Sequence, residues 1–329
     1  MFLLLMVGLA FGGGYGDPVD GLPSFSEREL HLWTNLARVA PADFDSEYAR
    51  GGCSWSSFQE SEKNPIPPLM WHLGLNDAAR FHSVDMATNN HFSHSSSDGT
   101  SFGDRVSRYY SSGYVGENIA YGAGPFYSVF SMWMCSPGHR SNIMEDGFNE
   151  LGTGVDGTYL TQDFGGRENQ ERVPVAMGIH YPQIPEQEVT FYADFYDEGG
   201  DTPDRFSVVY NGVVHDLTPR WGSASMGVFL HETEVQSAEC HEYFFKAWVG
   251  GREVRFPETG SYGWGECDFA DVAAGWISTQ WGDPSRDLNE GKGCAAIATA
   301  GTGIPVAMWL SLVALGFRRT RLQASKSAV

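Results

Sequence analysis

The spacing of apolar residues changes part-way along this chain, and that change limits the fold more than any other feature. Up to about residue 150 they recur at helical intervals. Residues 26–39 read as a helix, with Ser26 and Glu29 as a capping box, Leu30, Trp33 and Ala37 on one face, and Pro41 as the stop. A second helix is expected over 76–90, with Leu75, Ala79, His82 and Met86 in one stripe, and a third over 126–134. Ser136 and Pro137 supply an N-cap and a first-turn proline for a short fourth helix. Strands follow at 151–155, 158–164 and 173–181. Helices succeeded by antiparallel strands predict a layered α+β domain; abundant glycine and a charged fraction of 19% argue against intrinsic disorder and coiled coil.

From about residue 185 the period stays near two. Residues 189–195 alternate, and 206–210, Asn211-Gly212 and 213–217 give a hairpin signal. Residues 243–249, Gly250-Gly251 and 253–256 give a second. Short strands with turn signals between them predict a small β-sandwich domain over 185–276, followed by a polar linker at 277–293. The 21 basic and 41 acidic residues leave a net charge of −20. So negative a surface repels phosphate, which excludes nucleic acid as a partner.

Both ends read as processing signals. Met1 to Ala10 is a short apolar run before a glycine-rich stretch, as in a secretory signal peptide over 1–16. Residues 295–317 carry no charge, and Arg318, Arg319 and Arg321 follow. That is long enough to span a bilayer with a cytoplasmic tail beyond it, so the expected membrane contact is through 294–329 before processing. Cys294 ahead of this segment resembles the MYXO-CTERM type of C-terminal sorting signal of Gram-negative bacteria. The resemblance implies a protein secreted to the cell surface, in the outer envelope, and ending near Cys294. Setting Cys294 aside leaves four cysteines and three possible pairings. Keeping each pair inside one expected domain gives Cys53–Cys135 and Cys240–Cys267. There is no CxxC pair, which argues against a zinc ribbon or a thioredoxin-like site.

Chemistry-bearing residues concentrate in three segments: His91 to His94 with Asp98-Gly99, Gly116-Glu117-Asn118, and Ser136 to Met144. Two imidazoles and a carboxylate suit a divalent metal with an open water position. The same groups suit general-base work, with Glu117 fixing a histidine tautomer. No sequence-local ligand pair such as HExxH accompanies them. Asp98 and Arg105 read as a structural turn and ion pair, Asn118 and Asn142 as satisfying loop backbone, and His82 and His91 as packed or exposed.

The ordered strings Asn35-Leu36-Ala37-Arg38, Pro68-Leu69-Met70-Trp71, Phe92-Ser93-His94, Gly116-Glu117-Asn118-Ile119-Ala120, Gly138-His139-Arg140-Ser141-Asn142-Ile143-Met144, Glu150-Leu151-Gly152-Thr153-Gly154 and Thr161-Gln162-Asp163-Phe164-Gly165 resemble the CAP superfamily. That group comprises the cysteine-rich secretory, antigen 5 and pathogenesis-related 1 proteins, here in the bacterial YkwD-like (SCP domain) form. The resemblance covers residues 25–181 and implies a three-layer α-β-α sandwich over 17–182 with a central cleft. It also implies a His-Glu-Glu-His tetrad, onto which His94, Glu117 and His139 match. The second glutamate position is Ser136, so the set is incomplete unless Glu150 substitutes for it. His94, Glu117, His139 and Ser136 are the expected cleft residues. His94, Glu117 and His139 are the expected ligands should a divalent cation such as zinc bind; no cofactor is required by the pattern. Three functions follow: binding of a small apolar or lipid-like ligand, an envelope component or a divalent ion in the cleft, metal-assisted hydrolysis of peptide or envelope substrates through His94, Glu117 and His139, or adhesion through the β-sandwich. The first is the expected one, with enzymatic activity left open.

Overall fold

The computed structural model describes residues 23–265, except 49–52, 123–125, 239 and 259–260. The expected signal peptide, linker, membrane-spanning segment, Cys267 and Cys294 lie outside the described residues. Among the described residues no helix is long and apolar enough to cross a membrane.

Helix α1 (Phe25–Val39) starts one residue earlier than its pattern suggests, and its capping box lies two residues earlier. Its capping box is Ser24 with Glu27: the Glu27 N–H donates to Ser24 Oγ at 3.3 Å, and Ser24 N–H donates back to the Glu27 carboxylate at 2.7 Å. Ser26 and Glu29 sit inside the helix, because Phe25 is already buried in its first turn. Pro41, expected only to end α1, opens α2 (Pro41–Glu47), where its missing N–H costs nothing. There follow β1 (Met70–Trp71), α3 (Leu73–Asn89), α4 (Phe102–Val106), β2 (Val115–Tyr121), α5 (Phe126–Cys135), α6 (Pro137–Ile143), β3 (Glu150–Asp156) and β4 (Tyr159–Gly165).

These strands form one sheet in the order β1-β3-β4-β2, with β1 parallel to β3 and the other pairs antiparallel. Helix α3 lies directly on β3. A Cβ added at Gly152 would come within 2.0 Å of the Leu75 backbone, and one at Gly154 within 2.2 Å of Ala79. The stripe Leu75, Ala79, His82 and Met86 is fully buried. Leu151, on the other face of β3 from Gly152, joins Leu30, Phe44, Phe130, Trp133 and Phe164 in a core with α1, α2 and α5. The disulfide Cys53–Cys135 ties the loop after α2 to the end of α5.

The second group of strands is β5 (Gly178–Tyr181), β6 (Glu188–Tyr196), β7 (Arg205–Tyr210), β8 (Val213–Asp216), β9 (Thr218–Gly222), β10 (Met226–Glu234), β11 (Cys240–Val249), β12 (Arg252–Phe256) and β13 (Tyr262–Gly265). They make two sheets, β5-β6-β10-β9 and β12-β11-β7-β8, with β13 on β11. Phe191, Phe195 and Phe229 of one sheet share a core with Val208, Tyr243 and Phe245 of the other. The β7–β8 hairpin turns on Asn211 and Gly212, whose φ values of 47° and 78° suit the Asn-Gly pair. Cys240 is disulfide-bonded, and its expected partner Cys267 lies outside the described residues.

Strand β5 pairs with β6 and not with β3 or β4. Just ahead of it, Asp194 on β6 accepts from the backbone N–H groups of Ala176 (2.7 Å) and Met177 (2.9 Å). The same carboxylate accepts from Asn35 Nδ2 on α1 at 2.5 Å. Trp221 of β9 and Val228 of β10 share the core of α1.

Candidate functional site

Two places on this scaffold gather chemistry, and they share no residue. The first centres on Glu117, which β2 carries into the interior at 6% exposure. A tight turn follows α3, with Gly99 at φ +87° and the Thr100 N–H donating to Asp98 at 2.8 Å. The Ser101 hydroxyl then caps α4, which delivers Arg105 fully buried. Arg105 donates to the His94 carbonyl (3.0 Å) and to Ser96 Oγ (3.2 Å), and it pairs with Glu117 Oε2. Its partner is therefore Glu117 and not the expected Asp98. The other oxygen, Oε1, accepts from His94 Nδ1 at 2.8 Å. His82 is fully buried beside them and donates to the Ser93 carbonyl at 2.8 Å.

The imidazoles are driven apart in basicity. The hydrogen bond to Glu117 raises His94 above its ordinary range, while burial, and then repulsion from His94, lowers His139. His94 leaves its outer edge in solvent, its side chain 56% exposed. His139 is half-buried, with Nδ1 lacking a hydrogen-bond partner. The two asparagines satisfy loop backbone as expected, Asn118 donating to the His139 carbonyl and Asn142 to that of Glu117.

Asp163 is the residue that the sequence reading missed. It lies directly opposite Glu117 in the β2–β4 register and is fully buried. Burial, and then Glu117, push its carboxyl well above the usual range, while Arg105 pulls it the other way. Every residue of β4 is buried, so no alternation singled it out.

This donor set does not fit a His₂Glu metal centre. Both Glu117 oxygens are engaged, by Arg105 and by His94. Among the described residues no group of three or more His, Cys, Asp or Glu is placed to hold a metal ion. Glu150 does not substitute either, since it accepts from Tyr110 Oη (2.7 Å) and Arg167 Nε (2.7 Å). Ser136 stands at the N-cap of α6, but its hydroxyl makes no capping hydrogen bond.

Other motif residues build the frame. Arg38 is buried and donates to the carbonyls of Pro67, Ile143, Glu145 and Phe148. Arg140 pairs with Glu62 at 2.8 Å and lies 4.1 Å from the Phe58 ring, holding the Cys53 loop against α5.

The second place is a cavity of about 240 Å³ between α1, α5 and the sheet containing β5, β6, β9 and β10. Rings wall it in a chain: Trp33–Tyr127 centroids lie 6.3 Å apart, Trp33–Tyr48 4.6 Å, Tyr48–Trp221 5.9 Å and Tyr192–Trp221 5.9 Å. Glu29 reaches into it, and burial raises this carboxyl to about 7 although a hydrogen bond with Trp33 pulls the other way. None of the expected cleft residues His94, Glu117, His139 and Ser136 lines this cavity. Its rings come from both halves of the chain, so no local motif announced it.

Residues 34–164 match the family model of the CAP, or cysteine-rich secretory protein, family. The uncharacterized membrane protein YlbC of Bacillus subtilis (strain 168) is 36% identical over 107 residues, 31% of this chain and 30% of that protein. The uncharacterized protein YkwD of the same strain is 37% identical over 111 residues, 33% of this chain and 43% of that protein. The chain thus spans less than half the length of these curated relatives. Among solved structures, an extracellular protein containing an SCP domain from Bacillus anthracis str. Ames is 36% identical, covering 31% of this chain and 35% of that one, with a TM-score of 0.29. Residues 34–164 are accordingly a CAP family domain, similar in sequence to the YkwD and YlbC proteins.

Proposed function

We propose that this is an exported CAP-domain protein that binds a small, largely apolar ligand, and that the aromatic cavity beside α1 is where the ligand sits. The observation that carries this reading is the enclosure of about 240 Å³ by Trp33, Tyr48, Tyr127, Tyr192 and Trp221. A concave, aromatic-lined space with a few polar groups is the usual form of a small-molecule site. The Glu117 cluster serves on this reading as a strut, because its carboxylate is committed to Arg105 and His94. Layers of α1 with α5 and of α3 on either side of the first sheet make the α-β-α sandwich, and the two later sheets the small β-sandwich. Export accords with the extracellular relative from B. anthracis and with the apolar N-terminus and Cys294. The same reading places the protein in a Gram-negative outer envelope, on the strength of Cys294 and the uncharged segment after it.

The test is binding of the neutral fluorescent probe N-phenyl-1-naphthylamine to the full chain. Tyr127 and Tyr181, 44% and 50% exposed, can be changed with little cost to folding. Both line the cavity, and Tyr127→Ala with Tyr181→Ala should weaken the probe about thirtyfold, since two contacting rings are each worth about 1 kcal/mol, while His94→Ala should leave it unchanged. Loss of binding only in His94→Ala, or none in the unaltered chain, overturns the reading.

A second reading has one observation in its favour. His94 raised and His139 lowered, the latter partly by repulsion from His94, give an acid and a base within electrostatic reach of each other, the division of labour that hydrolysis needs. It predicts a bell-shaped pH profile on peptide substrates that His139→Ala abolishes.

A further inference from the structure

The cavity's one acidic group says more about its occupant than its rings do. Glu29 stands one helical turn before Trp33 on α1, so its carboxyl and the Trp33 indole share a face. Among the described residues that line the space, Glu29 is the single carboxyl, and no Lys, Arg or His stands with it. Among the described residues no Lys, Arg or His pairs with it. An ionised carboxylate in an aromatic enclosure is costly unless something cationic meets it, and a purely apolar ligand would leave that cost in place. The rings add the complementary half, because the faces of Trp and Tyr attract cations. The protein already uses this chemistry next door: the Arg220 guanidinium lies 4.6 Å from the Trp221 ring and is held by both oxygens of Glu47 (3.0 and 2.9 Å). Size narrows the choice further, since about 240 Å³ lies below the ~300–1,000 Å³ of sites for drug-sized ligands.

We propose that the cavity is a site for a small organic cation, a quaternary or alkyl ammonium group, with Glu29 as its counter-ion and Trp33, Tyr48, Tyr192 and Trp221 as its walls. The inference rests on the ligand-binding reading above and gives that ligand its charge. The group can belong to a free ammonium compound or to a lipid headgroup. Because burial holds Glu29 near 7, binding strengthens as pH rises through neutrality. The other titratable groups around it are phenols: Tyr48, pushed up to about 12, Tyr181 and Tyr192, also pushed upward, and Tyr127. Arg220 and Glu47 pair with each other beside Trp221 and do not line the space.

The experiment displaces N-phenyl-1-naphthylamine from the full chain with choline and, separately, with 3,3-dimethylbutan-1-ol, its neutral isostere. Choline should displace the probe at a concentration about tenfold lower, and the gap should widen from pH 6 to pH 8. Glu29→Gln should close the gap and flatten the pH dependence, both read as the ratio of the two displacing concentrations within that variant. Equal displacement by both compounds overturns the cationic assignment and leaves the apolar site standing. Failure of the probe itself to bind overturns both. Should Glu29→Gln not fold, the choline–isostere comparison and its pH dependence in the unaltered chain decide alone. Sedimentation with phosphatidylcholine but not phosphatidylglycerol vesicles assigns the group to a lipid headgroup; choline displacement without vesicle binding assigns it to a free compound.

Discussion

Glu117 meets three groups at once: it neutralises the buried Arg105, orients His94, and faces Asp163, whose carboxyl burial and Glu117 itself push upward. Removing one partner of a buried ion pair ordinarily costs about 3–5 kcal/mol, because the other charge is left alone. Here a second carboxyl stands ready. In Glu117→Gln, Asp163 can release its proton and take over Arg105, so the loss should fall well short of that figure. Glu117→Gln with Asp163→Asn removes the substitute and should show the whole cost, a coupling of about 1–3 kcal/mol in a double-mutant cycle by urea unfolding. Additive losses would sink the idea. The pH sign is also fixed. Asp163 titrates from 3.8 when unfolded but well above it when folded, so its contribution is fully present below about pH 3.8 and is lost as pH rises through the folded value. Asp163→Asn should therefore gain on the unaltered chain as pH rises from 4 to 8, which thermal melts across that range would register. His94 and Glu117 were readable from short motifs. Asp163 and the Arg105 pairing were not, since strand register and a five-residue helix create them.

At the scale of elements, the string Glu150-Leu151-Gly152-Thr153-Gly154 is a packing code. Its alternate glycines present bare backbone to α3, and Leu151 between them faces the opposite core. A methyl at Gly152 would meet the backbone of Leu75 and Asn76, which cannot move aside as a flexible side chain can. Gly152→Ala should cost about 3 kcal/mol or more, the upper end for overpacking. Gly157→Ala is a poorer control because of its positive φ, whereas Gly103→Ala, with open space and an ordinary φ, should change little. Equal chemical-denaturation midpoints for Gly152→Ala and Gly103→Ala would refute this account. The strands of the second group were legible because Asn211-Gly212 and Gly250-Gly251 demand the backbone that they adopt. The start of α1 was not, because two overlapping serine–glutamate pairs compete there, and burial of Phe25 selects Ser24.

At the scale of the whole molecule, the CAP domain and the strands after it do not divide where their sequence periods change. Asn35 of α1 donates to Asp194 of β6, Trp221 and Val228 pack into the core of α1, and among the described residues β5 finds its one partner strand in β6. A chain cut after residue 181 would leave Asn35 without that acceptor and the N–H groups of Ala176 and Met177 without Asp194. It would also expose β5 as an unpaired edge, an invitation to aggregate. Loss of the buried Trp221 and Val228 side chains alone removes about 1.5–3 kcal/mol each. At roughly 2–4 °C per kcal/mol for a chain of this size, the cut should lower Tm by about 10 °C or more. Residues 23–265 should accordingly unfold in one calorimetric transition, with equal calorimetric and van't Hoff enthalpies. Two separated transitions, one of them retained unchanged by the shortened chain, would show instead that the halves fold alone. In that event the aromatic cavity, whose walls come from both, would be a seam between independent domains and a poor candidate for a built site.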